Sequence, residues 1–301
     1  MSEVIQSLSL CCPAKKCINH CETCTARQHS NPYFNLYHSD CLPAVYEYWE
    51  EVIKRLKYAR DKKCSILMLT GGVEPQQDKK WLEGVYLALK SLPDPFLNIE
   101  MQTTGAFIDH NYLIFLKNIG LTTLAVSTFN IFNDTINQDI IHCPTRTLDL
   151  DFLCDDATME GLNIRICINV TDKVAASSGV KTPAKVVAAI LDRCVELHAN
   201  QVTFRKMWSN PGTPEADWIK ENCTEYSDDI LAHVSSVVKN NGKLINKLPY
   251  GAERYDYHGL SIVIDTDSMA KDESNTATKY YIIREDGKMY SSWDSPASLV
   301  F

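Results

Sequence analysis

The sequence has no apolar stretch long enough to cross a bilayer, and Met1 to Leu10 carry neither the basic region nor the apolar length of a secretory signal. It also lacks any run of Lys and Arg able to track a phosphate backbone, and its formal net charge of −8 repels one. These absences argue against a membrane or nucleic-acid partner and lead us to expect a cytoplasmic protein. Nor does the chain have the polarity of a disordered one. It is 45% hydrophobic and 23% charged over 301 residues, enough to bury a large core as one barrel-like α/β domain or as two smaller domains.

Cysteine, by contrast, is plentiful. In a reducing compartment the 12 cysteines serve as ligands and buried thiols rather than disulfides. Nine of them are scattered, apart from the adjacent Cys11 and Cys12, while Cys17, Cys21 and Cys24 are separated by three and then two residues. Thiolate is a soft ligand, and three so close together converge on one ion or cluster at little loop-closure cost. A structural zinc site wants four protein ligands, and Cys11, Cys12, His20, His29 or Cys41 would have to complete it. A [4Fe–4S] cluster held by three cysteines instead leaves one iron open to a ligand that is not protein. Spacing alone leaves both readings open.

The rest of the chain alternates strands with helices. Val4–Leu10 reads as a strand that runs into the cysteine loop, and Pro43–Lys62 as a helix with Val45, Trp49, Val52, Ile53 and Leu56 on one stripe. Strands follow at Ser65–Thr70, Leu97–Thr103, Leu121–Thr128, Asn163–Val170 and Gln201–Met207. Helices follow at Lys79–Leu92, Asp109–Asn118, Asp149–Glu160 and Ala184–His198. Such repeats predict a parallel sheet with right-handed crossovers. From Ser209 the pattern shifts to a helix at Ser227–Lys239 and strand-like runs at Leu244–Leu248, Leu260–Asp265 and Lys279–Arg284. Asp286-Gly287 turns the last run into Lys288–Ser292, and hairpins here are expected to cover the open side of a barrel; Lys271–Thr278 is expected to be mobile.

The cysteine spacing resembles the cluster motif of the radical S-adenosylmethionine (SAM) enzymes. Two later turns carry the same resemblance. Gly71-Gly72-Val73-Glu74-Pro75, at the end of the second strand, is similar to that family's Gly-Gly-Glu-Pro motif with Val73 inserted, and Thr103-Thr104-Gly105 looks like its Thr-Asn-Gly turn. The family's aromatic residue just before the third cysteine is missing; Thr23 stands there. The resemblance spans Met1 to Trp208 and implies a partial (β/α)6 TIM-like barrel over 1–208 with a C-terminal α+β extension over 209–301.

It further implies that Cys17, Cys21 and Cys24 hold a [4Fe–4S] cluster and that SAM binds its open iron, making the protein oxygen-sensitive. Gly71, Gly72 and Glu74 would meet the SAM amino group, Ser127 and Asn169 its ribose or carboxylate, and Thr103 and Thr104 its nucleoside side. The reaction expected is reductive cleavage of SAM to a 5′-deoxyadenosyl radical that abstracts hydrogen from a small-molecule or nucleotide substrate, with flavodoxin or ferredoxin as electron donor. A peptide substrate or a glycyl-radical enzyme partner comes next, and a zinc-stabilised binding protein without catalysis is the rival. Only Cys223 follows Trp208, so a C-terminal extension with further clusters is not expected.

The strands also show which residues face a lumen. Ile164, Ile166 and Ile168 share one face of their strand while Arg165, Cys167 and Asn169 share the other, and the neighbouring strands repeat the pattern. If the apolar sets meet the helices, the lumen is lined by Glu100, Gln102, Ser127, Arg165, Asn169 and Arg205. That many polar groups suit a wet or ligand-filled cavity. Glu100, Arg165 and Arg205 are therefore the candidate catalytic residues, with the arginines facing the carboxylate of SAM or an anionic substrate, unless they pair with Glu100 instead.

Overall fold

The computed structural model describes residues 4–14, 16–29, 45–144, 148–247, 252–265, 277–293 and 295–301. Its strands are β1 (Val4–Cys11), β2 (Ile66–Thr70), β3 (Asn98–Thr103), β4 (Thr123–Thr128), β5 (Asn163–Val170), β6 (Gln201–Lys206), β7 (Lys243–Lys247), β8 (Glu253–Tyr257), β9 (Leu260–Asp265), β10 (Ala277–Ile283) and β11 (Met289–Tyr290). The helices are α1 (Thr25–Gln28), α2 (Val45–Asp61), α3 (Lys79–Lys90), α4 (His110–Asn118), α5 (Asp134–Ile141), α6 (Leu150–Met159), α7 (Pro183–Glu196), α8 (Pro214–Asn222) and α9 (Glu225–Asn241).

Local sequence sets the helix starts. The carboxylates of Asp78, Asp109 and Asp149 accept from the N–H groups of Trp81, Tyr112 and Phe152, capping α3, α4 and α6, and Pro183 opens α7 where no intrahelical N–H is needed. The apolar faces of these helices, through residues such as Leu56, Leu82, Leu113, Leu153 and Ile190, bury against Leu8, Leu67, Met101, Leu124, Ile166 and Phe204 of the strands. This layer between helices and sheet is the main core. It leaves the polar strand faces turned inward, as the alternation predicts.

All eleven strands join one sheet in the order β11-β10-β1-β2-β3-β4-β5-β6-β9-β8-β7. From β10 through to β9 every neighbouring pair is parallel, and the end pairings β11–β10, β9–β8 and β8–β7 are antiparallel. Residues of β1, β2, β3, β5, β6, β8, β9 and β10 line a single cavity, so the sheet curls around it as a partial barrel.

The C-terminal segment joins the same sheet rather than forming a layer of its own. β10 pairs with β1 and β9 pairs with β6, each parallel, so the segment extends both free edges of the six-stranded sheet. An unpaired strand edge leaves backbone donors and acceptors unsatisfied, and these additions satisfy both. The boundary at 208 therefore does not separate two sheets. The Asp286-Gly287 hairpin is present between β10 and β11. Of the expected mobile segment, 271–276 lie outside the described residues, while Ala277 and Thr278 belong to β10. No helix among the described residues is long and apolar enough to cross a membrane.

Candidate active site

The cysteine loop leaves β1 at its C-terminal end, where parallel α/β folds place their chemistry. Four neighbouring elements hold it. Gln77, just past the glycine turn, accepts from Ile18 N–H at 3.1 Å and donates through Nε2 to Lys16 O at 2.7 Å. Carbonyls at the C-terminus of α5 accept from the backbone: Ile141 O from His20 N–H at 3.1 Å and Ile140 O from Glu22 N–H at 2.9 Å. Arg27 donates to Cys21 O and pairs through Nε with Glu215 of α8 at 2.5 Å. Buried Asn19 donates through Nδ2 to Thr104 Oγ1 at 3.0 Å and to Glu74 Oε2 at 3.3 Å.

The loop is also partly dry. Cys21 packs against a small apolar cluster of Ala106, Phe129, Ile140, Ile141 and Cys143, separate from the main core. Burial lifts the thiols of Cys17, Cys21 and Cys24 above the ordinary range, and at Cys21 the neighbouring sulfurs of Cys24 and Cys17 raise it further. Neutral thiols in this setting become ligands when a bound metal supplies the compensating charge. Among the described residues no three His, Cys, Asp or Glu side chains crowd closely enough to hold one metal ion. A cluster takes one thiolate at each of three separate irons, whereas a single zinc ion gathers its ligands around one centre. Of the residues able to complete a zinc knuckle, Cys11 and Cys12 are buried in the core, with Cys12 pushed up to about 12 chiefly by burial, and Cys41 lies outside the described residues.

Gly71 and Gly72 line the mouth of the cavity beside this loop. Gly71 has φ +139°, and a Cβ there would stand 3.1 Å from Cys12 N, so the turn is pressed against the start of the cysteine loop in a way only glycine permits. Glu74 is fully buried. Its Oε2 accepts from Thr104 N at 3.0 Å, Thr104 Oγ1 at 2.9 Å and Asn19, while Oε1 is buried without a hydrogen-bond partner. Burial raises the Glu74 carboxyl, and the hydrogen bonds from Thr103 and Thr104 pull it back down. Thr103 Oγ1 accepts from Gly105 N at 2.9 Å, fixing the second turn. The structure thus brings Glu74, Thr103 and Thr104 together as a clamp on the cysteine loop, and the Oε2 edge of Glu74 faces its own chain.

The cavity measures about 400 Å3. Its wall includes Gln102, Arg165, Cys167, Thr203 and Arg205 on the expected faces; Glu100, Ser127 and Asn169 are not among its described lining residues. Glu100 is 2% exposed, and its Oε2 lies 2.5 Å from Arg165 Nη1, so these two side chains neutralise each other. Arg165 also donates to Gln201. Ser127 sits opposite Cys167 and Asn169 opposite Arg205, on the inward faces of β4 and β5. Among the described residues, the carboxylate nearest Arg205 is that of Asp265, with Oδ2 3.7 Å from Nε.

Sequence reasoning missed Asn19, Gln77, Arg27 and Glu215, whose partners are distant in the chain. It also missed the wall supplied by the C-terminal segment, including Arg254, Asp265, Tyr280 and Trp293. The one available signal was the alternation of Arg254 and Asp256 with Tyr255 and Tyr257 in β8.

Fold and site together describe a curled parallel α/β sheet with a three-cysteine loop at the mouth of its lumen. No family model matches the chain, and no curated protein matches it in sequence. Solved structures do match in fold. SuiB of Streptococcus suis bound to S-adenosylmethionine aligns over 97% of this chain and 59% of its own, at 12% identity and TM-score 0.56. Native anSMEcpe with bound AdoMet aligns over 95% of this chain and 74% of its own, at 14% identity and TM-score 0.59. SuiB bound to precursor peptide SuiA gives 12% identity, TM-score 0.56 and coverage of 97% and 60%. The chain therefore spans about three fifths of the SuiB chain, and it shares its fold with these structures.

Proposed function

We propose that this protein is a radical SAM enzyme. Cys17, Cys21 and Cys24 hold a [4Fe–4S] cluster, and the Gly71-Gly72 turn offers its backbone to SAM at the mouth of the lumen. When bound, the cluster and SAM supply a 5′-deoxyadenosyl radical able to abstract hydrogen from a substrate deeper in the barrel. The chain's own residues do the positioning. Gln77, Asn19 and Arg27 fix the cysteine loop, Glu74 ties that loop to the Thr103-Thr104 turn, and the curled sheet keeps bulk water from the reacting centre.

The observation that carries this reading is that Thr25 and Ala26, directly after the third cysteine, line the same cavity as the Gly71-Gly72 turn, with the cysteine loop tied to that turn's continuation by Glu74 and Gln77. That the fold is one in which SuiB and anSMEcpe bind S-adenosylmethionine supports it. Ser127 and Asn169 remain candidates for the SAM side of the lumen because they share the inward strand faces. The substrate proposed is a small molecule or nucleotide, and a low-potential donor such as flavodoxin or ferredoxin supplies the electron. The test is anaerobic reconstitution with iron and sulfide, followed by reduction in the presence of SAM. A brown protein releasing 5′-deoxyadenosine supports the reading; a colourless one that binds zinc and leaves SAM intact overturns it.

A further inference from the structure

Arg254, the second residue of β8, lines the lumen, and its side chain makes no hydrogen bond or ion pair among the described residues; its Nε is buried without a partner. β8 pairs antiparallel with β9, with Arg254 opposite Val263. β9 pairs parallel with β6, with Val263 opposite Thr203 and Asp265 opposite Arg205. The two-residue period puts all five side chains on one face, and all five line the cavity. Asp265 is the one carboxylate among them. Its Oδ2 lies 3.7 Å from Arg205 Nε, beyond hydrogen-bond range, and that Nε is also buried without a hydrogen-bond partner.

Two guanidiniums therefore face one carboxylate. A guanidinium does not escape by losing its proton, and shielding it from water without a counter-charge is costly. The other Arg, Lys, Asp and Glu side chains of the wall are accounted for: Arg165 is matched by Glu100 at 2.5 Å, and Lys279, Arg284 and Glu285 have partners of their own. Among the described residues no carboxylate partners Arg254, and the lumen it faces has room for an anion. SAM is the wrong source. Its proposed contacts run from Gly71 and Gly72 at the end of β2 to Asn169 on β5, whereas Arg254 stands two strands beyond β6, opposite Val263 and two residues short of the end of β9.

Resting on the radical SAM reading for where SAM sits, we propose that Arg254, with Arg205 beside it, binds a carboxylate or phosphate group of a small-molecule substrate. The planar fork of Arg254 suits either anion in a two-pronged contact. The C-terminal segment would then select the substrate, while the first two hundred residues carry the cysteine loop and glycine turn.

The test is calorimetric titration of the reconstituted full chain with inorganic phosphate and, separately, with acetate, in the presence of SAM. The parent is expected to bind at least one anion, and which arm responds distinguishes phosphate from carboxylate. Arg254→Gln should weaken that anion tenfold or more, Arg254→Lys should weaken it less, and both should bind SAM as the parent does. Circular dichroism checks that both variants fold; if Arg254→Gln does not, Arg254→Lys carries the comparison, with a loss of threefold or more expected. Parent-like anion binding in the folded variants, no anion binding by the parent, or an equal loss of SAM affinity overturns the proposal. The outcome is separable from the chemistry: a parent that binds anions through Arg254 but never cleaves SAM sinks the radical SAM reading and leaves the anion site standing.

Discussion

Asn19 and Glu74 are joined by a hydrogen bond of 3.3 Å between Nδ2 and Oε2, buried on both sides, which links the inside of the three-cysteine loop to the turn that follows β2. Through it the cysteine loop and the glycine turn, proposed to hold the cluster and SAM, are expected to behave as one unit.

Glu74→Ala tests that unit. It removes the acceptor of Thr104 N–H, Thr104 Oγ1 and Asn19 Nδ2, and stranding buried donors costs about 1–3 kcal/mol. Urea denaturation of the cluster-free protein should show a loss in that range, and the reconstituted variant should bind SAM more weakly. An unchanged midpoint and unchanged SAM affinity would show that the clamp is dispensable.

The two glycines of the turn should fail differently. Gly71→Ala places a Cβ 3.1 Å from Cys12 N at φ +139°, so it should displace the root of the cysteine loop and lower both iron content and stability. Gly72→Val adds a branched side chain at the cavity wall, and is expected to lower SAM affinity at least tenfold with iron content unchanged. If Gly72→Val binds SAM as the parent does, the turn does not contact it.

Arg165 should read out as structure rather than as ligand binding. Arg165→Met leaves Glu100 buried and unpaired, at a cost of about 3 kcal/mol. Glu100→Gln with Arg165→Met should recover much of that loss, and SAM affinity should stay near that of the parent in both. A double-mutant cycle by chemical denaturation measures the coupling. Loss of SAM binding without loss of stability would return Arg165 to the ligand site.

Arg27 bridges Cys21 O and Glu215, tying the cysteine loop to α8. Arg27→Met should therefore release cluster iron to a chelator faster than the parent, and Glu215→Gln should do so to a smaller degree. Equal release rates in all three would mean that α8 does not guard the loop.

Much of this fold is legible because its first six strands and main helices carry clean periods. The Ile164-Ile166-Ile168 face and the Val52-Leu56 stripe each announce what they bury against. The Cys17–Cys24 loop and the Gly71-Gly72 turn stand out because clustered thiols and a turn pressed against Cys12 N restrict residue type. What stays hidden depends on pairings that no local pattern encodes. β10 lies beside β1 although more than two hundred residues separate them. α5 is short, yet its last carbonyls hold the cysteine loop. Glu100 and Arg165 meet across β4, and nothing in either strand's own sequence says that the charges of β3 and β5 are spent on each other.

The most direct test of the central claim is iron, sulfide and 5′-deoxyadenosine measured together on anaerobically reconstituted, reduced protein with SAM, for the parent and for Cys→Ala at positions 17, 21, 24, 64 and 194. Cys64 and Cys194 are buried in the core away from the loop. The account predicts about four irons per chain and 5′-deoxyadenosine from the parent, Cys64→Ala and Cys194→Ala, and neither from Cys17→Ala, Cys21→Ala or Cys24→Ala. Full iron loading and SAM cleavage in Cys21→Ala would contradict it.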